Sequence, residues 1–178
     1  MQADATTPLT EVPETFEGWY LRERPRLVAA LTALCGGDRA EAAEIADETC
    51  ARTLERWDRV QRMESPGGWA YRVALNELRH RARRSRRETQ VFRAAAVAAT
   101  GQRPDWSVET REAIDALPPA ERTTVVLRYV ADLTQADIAR AMHVSPGTVA
   151  SSLHAARTKL ARLLEEPAGS PPEEVSHG

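Results

Sequence analysis

The chain has 178 residues, of which 42% are hydrophobic and 28% charged, the composition of an ordinary globular protein. Its longest apolar stretch, Val28 to Cys35, is interrupted by Thr32 and falls far short of the roughly 20 residues that cross a bilayer. The N-terminus lacks the basic-then-apolar order of a signal peptide, so a cytoplasmic protein without membrane insertion is expected.

The formal net charge of −2 conceals an uneven distribution. Residues 1–61 are net −5 and residues 94–178 net −3, whereas residues 62–93 carry 9 arginines against 3 acids. The densest part, Arg79 to Arg87, holds 6 arginines and no acid. A basic stretch confined to one segment of an acidic chain points to contact with a polyanion. A solvated helix end, where arginines favour the C-terminal dipole, is the alternative.

In chain order, residues 1–15 are rich in Pro, Thr and Glu and are expected to be a disordered tail. A first helical block is predicted over residues 16–84. Within it, a helix from Glu41 to Trp57 places Ile45, Thr49, Cys50, Thr53, Leu54 and Trp57 on one stripe, at three- and four-residue spacing. Ser65-Pro66-Gly67-Gly68 breaks the chain, and a second amphipathic helix follows with Trp69, Val73 and Leu78 on its buried side. Residues 85–107 read as a flexible linker, with Ala94 to Ala99 transiently helical. A second block over residues 108–164 contains helices separated at Leu117-Pro118-Pro119, Leu133-Thr134 and His143-Val144-Ser145. Residues 165–178 are a second disordered tail. The fold class is therefore all-α, with two small helical domains on a flexible linker. Blocks of this size have marginal cores.

The second block carries the sharpest local signal. Thr134 is a good N-cap, with Asp137 placed to complete a capping box. Ile138, Ala139 and Met142 face inward, and His143 stands where the chain must reverse through a positive φ, which His tolerates. Ser145 caps the next helix and Pro146 takes its first position. Val149, Leu153, Ala156 and Leu160 form that helix's buried face. These features describe a helix-turn-helix whose second helix would enter a major groove; a helical hairpin without DNA has the same packing. The groove-facing residues would be Ser145, Thr148, Ser151, Ser152 and His154, with Arg157 nearer the backbone, a polar surface with little charge.

No catalytic or metal-binding constellation is present. His80, His143, His154 and His177 lack partners at metal-ligand spacing, and Cys35 and Cys50 make neither a disulfide framework nor a ligand pair. No enzymatic activity, cofactor, metal or small-molecule substrate is expected.

The two blocks together resemble the extracytoplasmic-function (ECF) sigma factors, which consist of a region 2 and a region 4 joined by a linker. The resemblance rests on Gly37 to Trp57, Trp69 to Asn76 and the arginine run in the first block, and on Leu117 to Tyr129, Leu133 to Ala139 and Ser145 to Leu153 in the second. It implies that Ile45, Asp47, Glu48 and Arg52 dock on core RNA polymerase. It implies that Arg62, Trp69, Arg72, Asn76, Arg79, Arg83 and Arg84 meet the −10 element, where unstacked bases are held, and that Ser145 to Arg157 read the −35 element. Trp69 is equally a core tryptophan, and Asn76 a helix-end hydrogen-bonding residue. The resemblance also implies promoter DNA and an anti-sigma factor as partners, with control by synthesis or by a tail as the other route. The family usually has basic residues where Ala150, Ser152 and Ala155 stand, and Gln where Asp47 stands. An interaction module or helix-turn-helix regulator without initiation activity is the rival reading.

Overall fold

The computed structural model describes residues 14–89 and 106–165, and all regular structure among them is helical. The N-terminal half holds α1 (Phe16–Leu34), α2 (Arg39–Leu54), α3 (Trp57–Val60) and α4 (Pro66–Thr89). The C-terminal half holds α5 (Val108–Asp115), α6 (Pro119–Tyr129), α7 (Gln135–Met142) and α8 (Pro146–Glu165). Ala94 to Ala99 and most of the two expected tails lie outside the described residues. Glu14 and Thr15, assigned to the first tail from sequence, belong to the start of α1: Thr15 Oγ1 accepts from the Gly18 amide at 3.2 Å, and Glu14 pairs with Arg22.

Local chemistry accounts for the boundaries. Asp38 caps α2 by accepting from the Glu41 amide at 2.9 Å, after Gly36 and Gly37 turn the chain with φ of 67° and 99°, a conformation glycine adopts without a Cβ penalty. The helix expected to run from Glu41 to Trp57 ends instead at Leu54, and α3 follows as a separate turn. Leu54, placed on the buried stripe from sequence, is 55% exposed, whereas Ile45, Thr49, Cys50 and Thr53 are buried.

Ser65-Pro66-Gly67-Gly68 is less a break than a helix start. Ser65 Oγ accepts from the Gly68 amide at 3.0 Å, with proline at the first helical position where its missing N–H costs nothing. The phase of α4 also differs from expectation. Its buried face is Ala70, Tyr71, Ala74 and Leu75, while Trp69, Val73 and Leu78 are half-buried at its flanks. α4 runs to Thr89, past the boundary expected at residue 84.

One aromatic cluster anchors the N-terminal half. Trp19 is fully buried, with ring centroids 5.7 Å from Phe16 and 5.8 Å from Trp57. Phe16 meets Trp57 edge-on at 5.6 Å, in the range favoured by the ring quadrupoles. The halves share their main core, and Leu117, Val125 and Ala156 form a second, smaller cluster within the C-terminal half. A single contiguous apolar cluster runs from Trp19, Leu27, Ile45 and Tyr71 to Leu127, Ile138, Val149 and Leu153. α7 packs on α4, and α6 on α1. Two marginal blocks thus share one interior, which offsets the poor surface-to-volume ratio of each.

Candidate nucleic-acid interface

Two surfaces carry the chemistry anticipated from sequence. On α4, Trp69, Arg72, Asn76, Arg79 and Arg83 recur at three- and four-residue spacing and so share one face. Asn76 and Arg83 are exposed and Arg72 and Arg79 half-exposed. Arg79 Nη1 donates to Asn76 Oδ1 at 3.2 Å, which orients the amide through its oxygen. Arg62 is exposed in the loop preceding α4, and Arg84 is exposed beside the stripe. Arg81 points elsewhere: it donates to Glu44 Oε2 at 2.8 Å and to Glu77 Oε1 at 3.2 Å. Part of the basic run is therefore neutralised internally, a distinction that counting charges along the sequence does not make.

The second surface is the helix-turn-helix. Thr134 Oγ1 accepts from the Asp137 amide at 3.1 Å, as expected of the cap. The reciprocal half of the capping box differs, because the Thr134 hydroxyl donates to Asp137 Oδ2 at 2.6 Å. Asp137 is buried. Burial alone would raise its carboxyl; hydrogen bonds from Ser65, Thr134 and Arg140 outweigh that and hold it below its ordinary value. His143 ends α7 in the left-handed region at φ 59° and ψ 45°. Ser145 Oγ accepts from the Thr148 amide at 3.1 Å and shares a hydrogen bond with the Thr148 hydroxyl at 2.8 Å.

Along α8, Ser145, Thr148, Ser151, His154 and Arg157 are exposed and Ser152 is half-buried, opposite the buried Val149, Leu153 and Ala156. Arg157 Nε donates to the Tyr129 hydroxyl at 2.8 Å, which holds the guanidinium at the edge of this face. The left-handed His143 gives a direct expectation. His143→Val should cost about 1–2 kcal/mol, because a branched Cβ is disfavoured there. His143→Gly should be neutral or stabilising by up to about 1 kcal/mol. Urea unfolding of the two variants checks both signs.

The α2 surface is charged and internally paired. Asp47 accepts from Arg24 Nε at 2.7 Å and Nη2 at 3.1 Å, and Arg52 pairs with Glu48 at 2.8 Å. Ile45, a docking candidate from sequence, is fully buried in the core, so it holds the helix from within and presents no surface. Cys50 is buried, and its thiol is pushed up to about 11 by desolvation, which keeps it protonated and unreactive at neutral pH.

Between the halves lies a cleft of about 290 Å³ lined by Arg59, Met63, Ser65, Trp69, Arg72 and Arg140, among others. Neither Arg59 nor Arg140 was among the DNA-contacting residues expected from sequence, although Arg140 stands within the helix-turn-helix segment. Only the fold brings Arg140 of α7 to the α4 stripe. Among the described residues no cluster of His, Cys, Asp or Glu has the makings of a metal site, and no helix is long and apolar enough to cross a membrane.

Comparison with known proteins decides the family. The Sigma-70 region 2 model matches residues 19–88, and the Sigma-70 region 4 model matches residues 107–160. An RNA polymerase sigma-E factor of Streptomyces antibioticus is 30% identical over 88% of this chain and 82% of its own length. The chain belongs to the ECF sigma factors. It is a promoter-recognition sigma factor, with α1–α4 carrying region 2 and α5–α8 region 4. The ECF sigma factor SigW of Bacillus subtilis is 25% identical over 73% of this chain and 79% of its own. Among solved structures, the sigma factor RpoE in complex with the anti-sigma factor NepR from Bartonella quintana has a TM-score of 0.70 at 21% identity. That alignment covers 85% of this chain and 98% of that one. CnrH in complex with the cytosolic domain of CnrY has a TM-score of 0.59 at 19% identity, over 86% of this chain and 89% of that one. Both share the helical fold of this sigma factor.

Proposed function

We propose that this sigma factor divides its work among three faces. Region 2, residues 16–89, uses the α4 stripe for the −10 element. Arg72, Arg79, Arg83 and Arg84, with Arg62 from the preceding loop, hold phosphates. Asn76 reads a base edge, and Trp69 supplies an apolar surface for an unstacked base. Region 4, residues 106–165, places α8 at the −35 element through Ser145, Thr148, Ser151, Ser152, His154 and Arg157. The exposed charges of α2, Asp47, Glu48 and Arg52, dock on core RNA polymerase, with Ile45 as their internal support. An anti-sigma factor is a further partner in this reading. The protein acts in the cytoplasm, performs no chemistry of its own and needs no cofactor, metal or small-molecule substrate.

The observation that carries the reading is the α4 stripe: cations and an oriented amide on one helical face, beside an indole and a cleft. The α8 face is a weaker reader. Serine and threonine hydroxyls discriminate bases less than a bidentate arginine does, and Ala150, Ser152 and Ala155 bring no charge. The exposed N-terminus of α8 still favours a phosphate. Region 4 therefore positions the complex, and promoter choice leans on the −10 contacts.

Run-off transcription with purified core polymerase is the test. Addition of the protein should start transcription at defined promoters, and scrambling the −35 element should reduce it less than about tenfold, roughly 1.4 kcal/mol. No defined start would favour the interaction-module reading. A loss of a hundredfold or more on scrambling would mean that the α8 hydroxyls and His154 read bases directly. Ala150→Lys with Ser152→Arg should tighten promoter and random DNA alike. Two added phosphate contacts should steepen the salt dependence by about 1.8.

A further inference from the structure

Ala150, His154, Arg157 and Ala161 recur at three- and four-residue spacing and so share one flank of α8. Arg157 is the permanent cation among them. Lys159 lies two residues further on, about 200° round the helix, and is committed to Glu121 Oε1 at 2.6 Å. Arg162 lies five residues on, about 140° away. Arg157 has no carboxylate among its described partners; it is tied to an aromatic residue on another helix. Tyr129, the last residue of α6, is 56% exposed. Its hydroxyl accepts from Arg157 Nε at 2.8 Å. The guanidinium carbon stands 5.9 Å from the ring centroid, within reach of a cation–π attraction.

This pairing leaves donors in hand. The bond through Nε uses one of the five guanidinium hydrogens. The two Nη groups keep the parallel donors that match a phosphate. The Tyr129 hydroxyl, accepting from Nε, still has its own proton to donate. A free arginine samples many rotamers and gives up that freedom when it binds. Here the bond and the ring restrict it before any DNA arrives. Helix-turn-helix proteins set their register on duplex DNA through phosphate contacts that flank the groove-facing residues, and Arg157 stands at such a flank. An exposed tyrosine alone carries no message. One bonded to the cation beside a neutral recognition face does.

We propose that Tyr129 and Arg157 form a two-residue clamp for one backbone phosphate of the −35 duplex, with Tyr129 as the positioning residue that presets the guanidinium. The inference rests on the reading of α8 as the −35 face. Because Ala150, Ser152 and Ala155 bring no charge to that face, its register on the duplex depends on this clamp and on the helix N-terminus.

The test uses holoenzyme assembled from the full chain and core polymerase, on a promoter found by run-off transcription. The labelled promoter duplex is the probe, read by fluorescence anisotropy at several salt concentrations. Arg157→Ala should lower the slope of log affinity against log salt by about 0.9, so that between 50 and 200 mM salt the parent loses about 3–4 times more affinity than the variant. Tyr129→Phe keeps every charge and the ring. It should leave the slope alone and weaken promoter binding about three- to tenfold, the size of one hydrogen bond. The melting temperature of the free chain should stay within about 2 °C of the parent. In the Arg157→Ala background, Tyr129→Phe should cost less than about twofold, because the tyrosine acts through the arginine. Equal slopes for the parent and Arg157→Ala overturn the clamp. Unchanged affinity with Tyr129→Phe, or an equal loss in both backgrounds, overturns the positioning role. The double variant Ser151→Glu/His154→Glu puts two acids on the α8 face and tests the underlying reading. If it weakens promoter binding about tenfold or more while Arg157→Ala and Tyr129→Phe do nothing, the clamp alone falls. If it too is without effect, α8 does not meet the −35 element. The absence of any defined start removes the reading, and the clamp with it.

Discussion

Replacing Trp19 with alanine should destabilise the protein by about 3–5 kcal/mol, the range for truncating a buried aromatic, and lower its melting temperature by about 6–20 °C for a chain of this length. Trp19 has no exposed surface and touches Phe16 and Trp57 from the interior side. The spatial extent of the damage matters more than its size. If regions 2 and 4 were independent, the loss would be confined to α1–α4. Because one apolar cluster links Trp19 and Tyr71 to Ile138 and Leu153, hydrogen exchange should accelerate in α7 and α8 as well. Protection in α8 that is unchanged by Trp19→Ala would show that the halves unfold separately.

The helix-turn-helix was legible in the sequence because every device that makes it is local. Thr134, His143, Ser145 and Pro146 act within four residues of themselves. The α4 face was misphased for the opposite reason. Its buried positions include Ala70 and Ala74, which carry little hydrophobic signal, while Trp69 and Val73 look like core and sit at the margin. What buries Ala70 and Ala74 is other helices, and no pattern within α4 announces them. The end of α2 at Leu54 was hidden because neither glycine nor proline marks it. Asp137 shows the limit most clearly. Its position three residues after Thr134 suggested a capping box, and the carboxylate instead accepts from the Thr134 hydroxyl, Ser65 and Arg140. The bond to Ser65 joins two segments far apart in sequence.

The α4 stripe makes the largest functional prediction, and the structure supplies its control. Arg72, Arg79 and Arg83 lie on one face with no carboxylate among their described partners, whereas Arg81 is committed to Glu44 and Glu77. Replacing Arg72, Arg79 and Arg83 together by alanine should remove about three phosphate contacts. Each contact contributes about 0.7–0.9 to the slope of log affinity against log salt, so the slope should fall by about 2–2.7. Between 50 and 200 mM salt the parent should then lose about 20–40 times more affinity than the variant does. Arg81→Ala should leave the slope alone. It breaks ion pairs at a surface where such pairs contribute at most about 1 kcal/mol, so stability should change little. Asn76→Ala should alter base preference at the −10 element with little effect on the slope, since an amide carries no charge. Fluorescence anisotropy on single-stranded DNA at several salt concentrations reads all three. Equal slopes for the parent and the triple variant would mean that the arginines only solvate the end of α4. A slope that falls with Arg81→Ala as well would mean that the ion pairs to Glu44 and Glu77 yield to phosphate, and that the charge of the whole run, rather than one face of the helix, is what DNA meets.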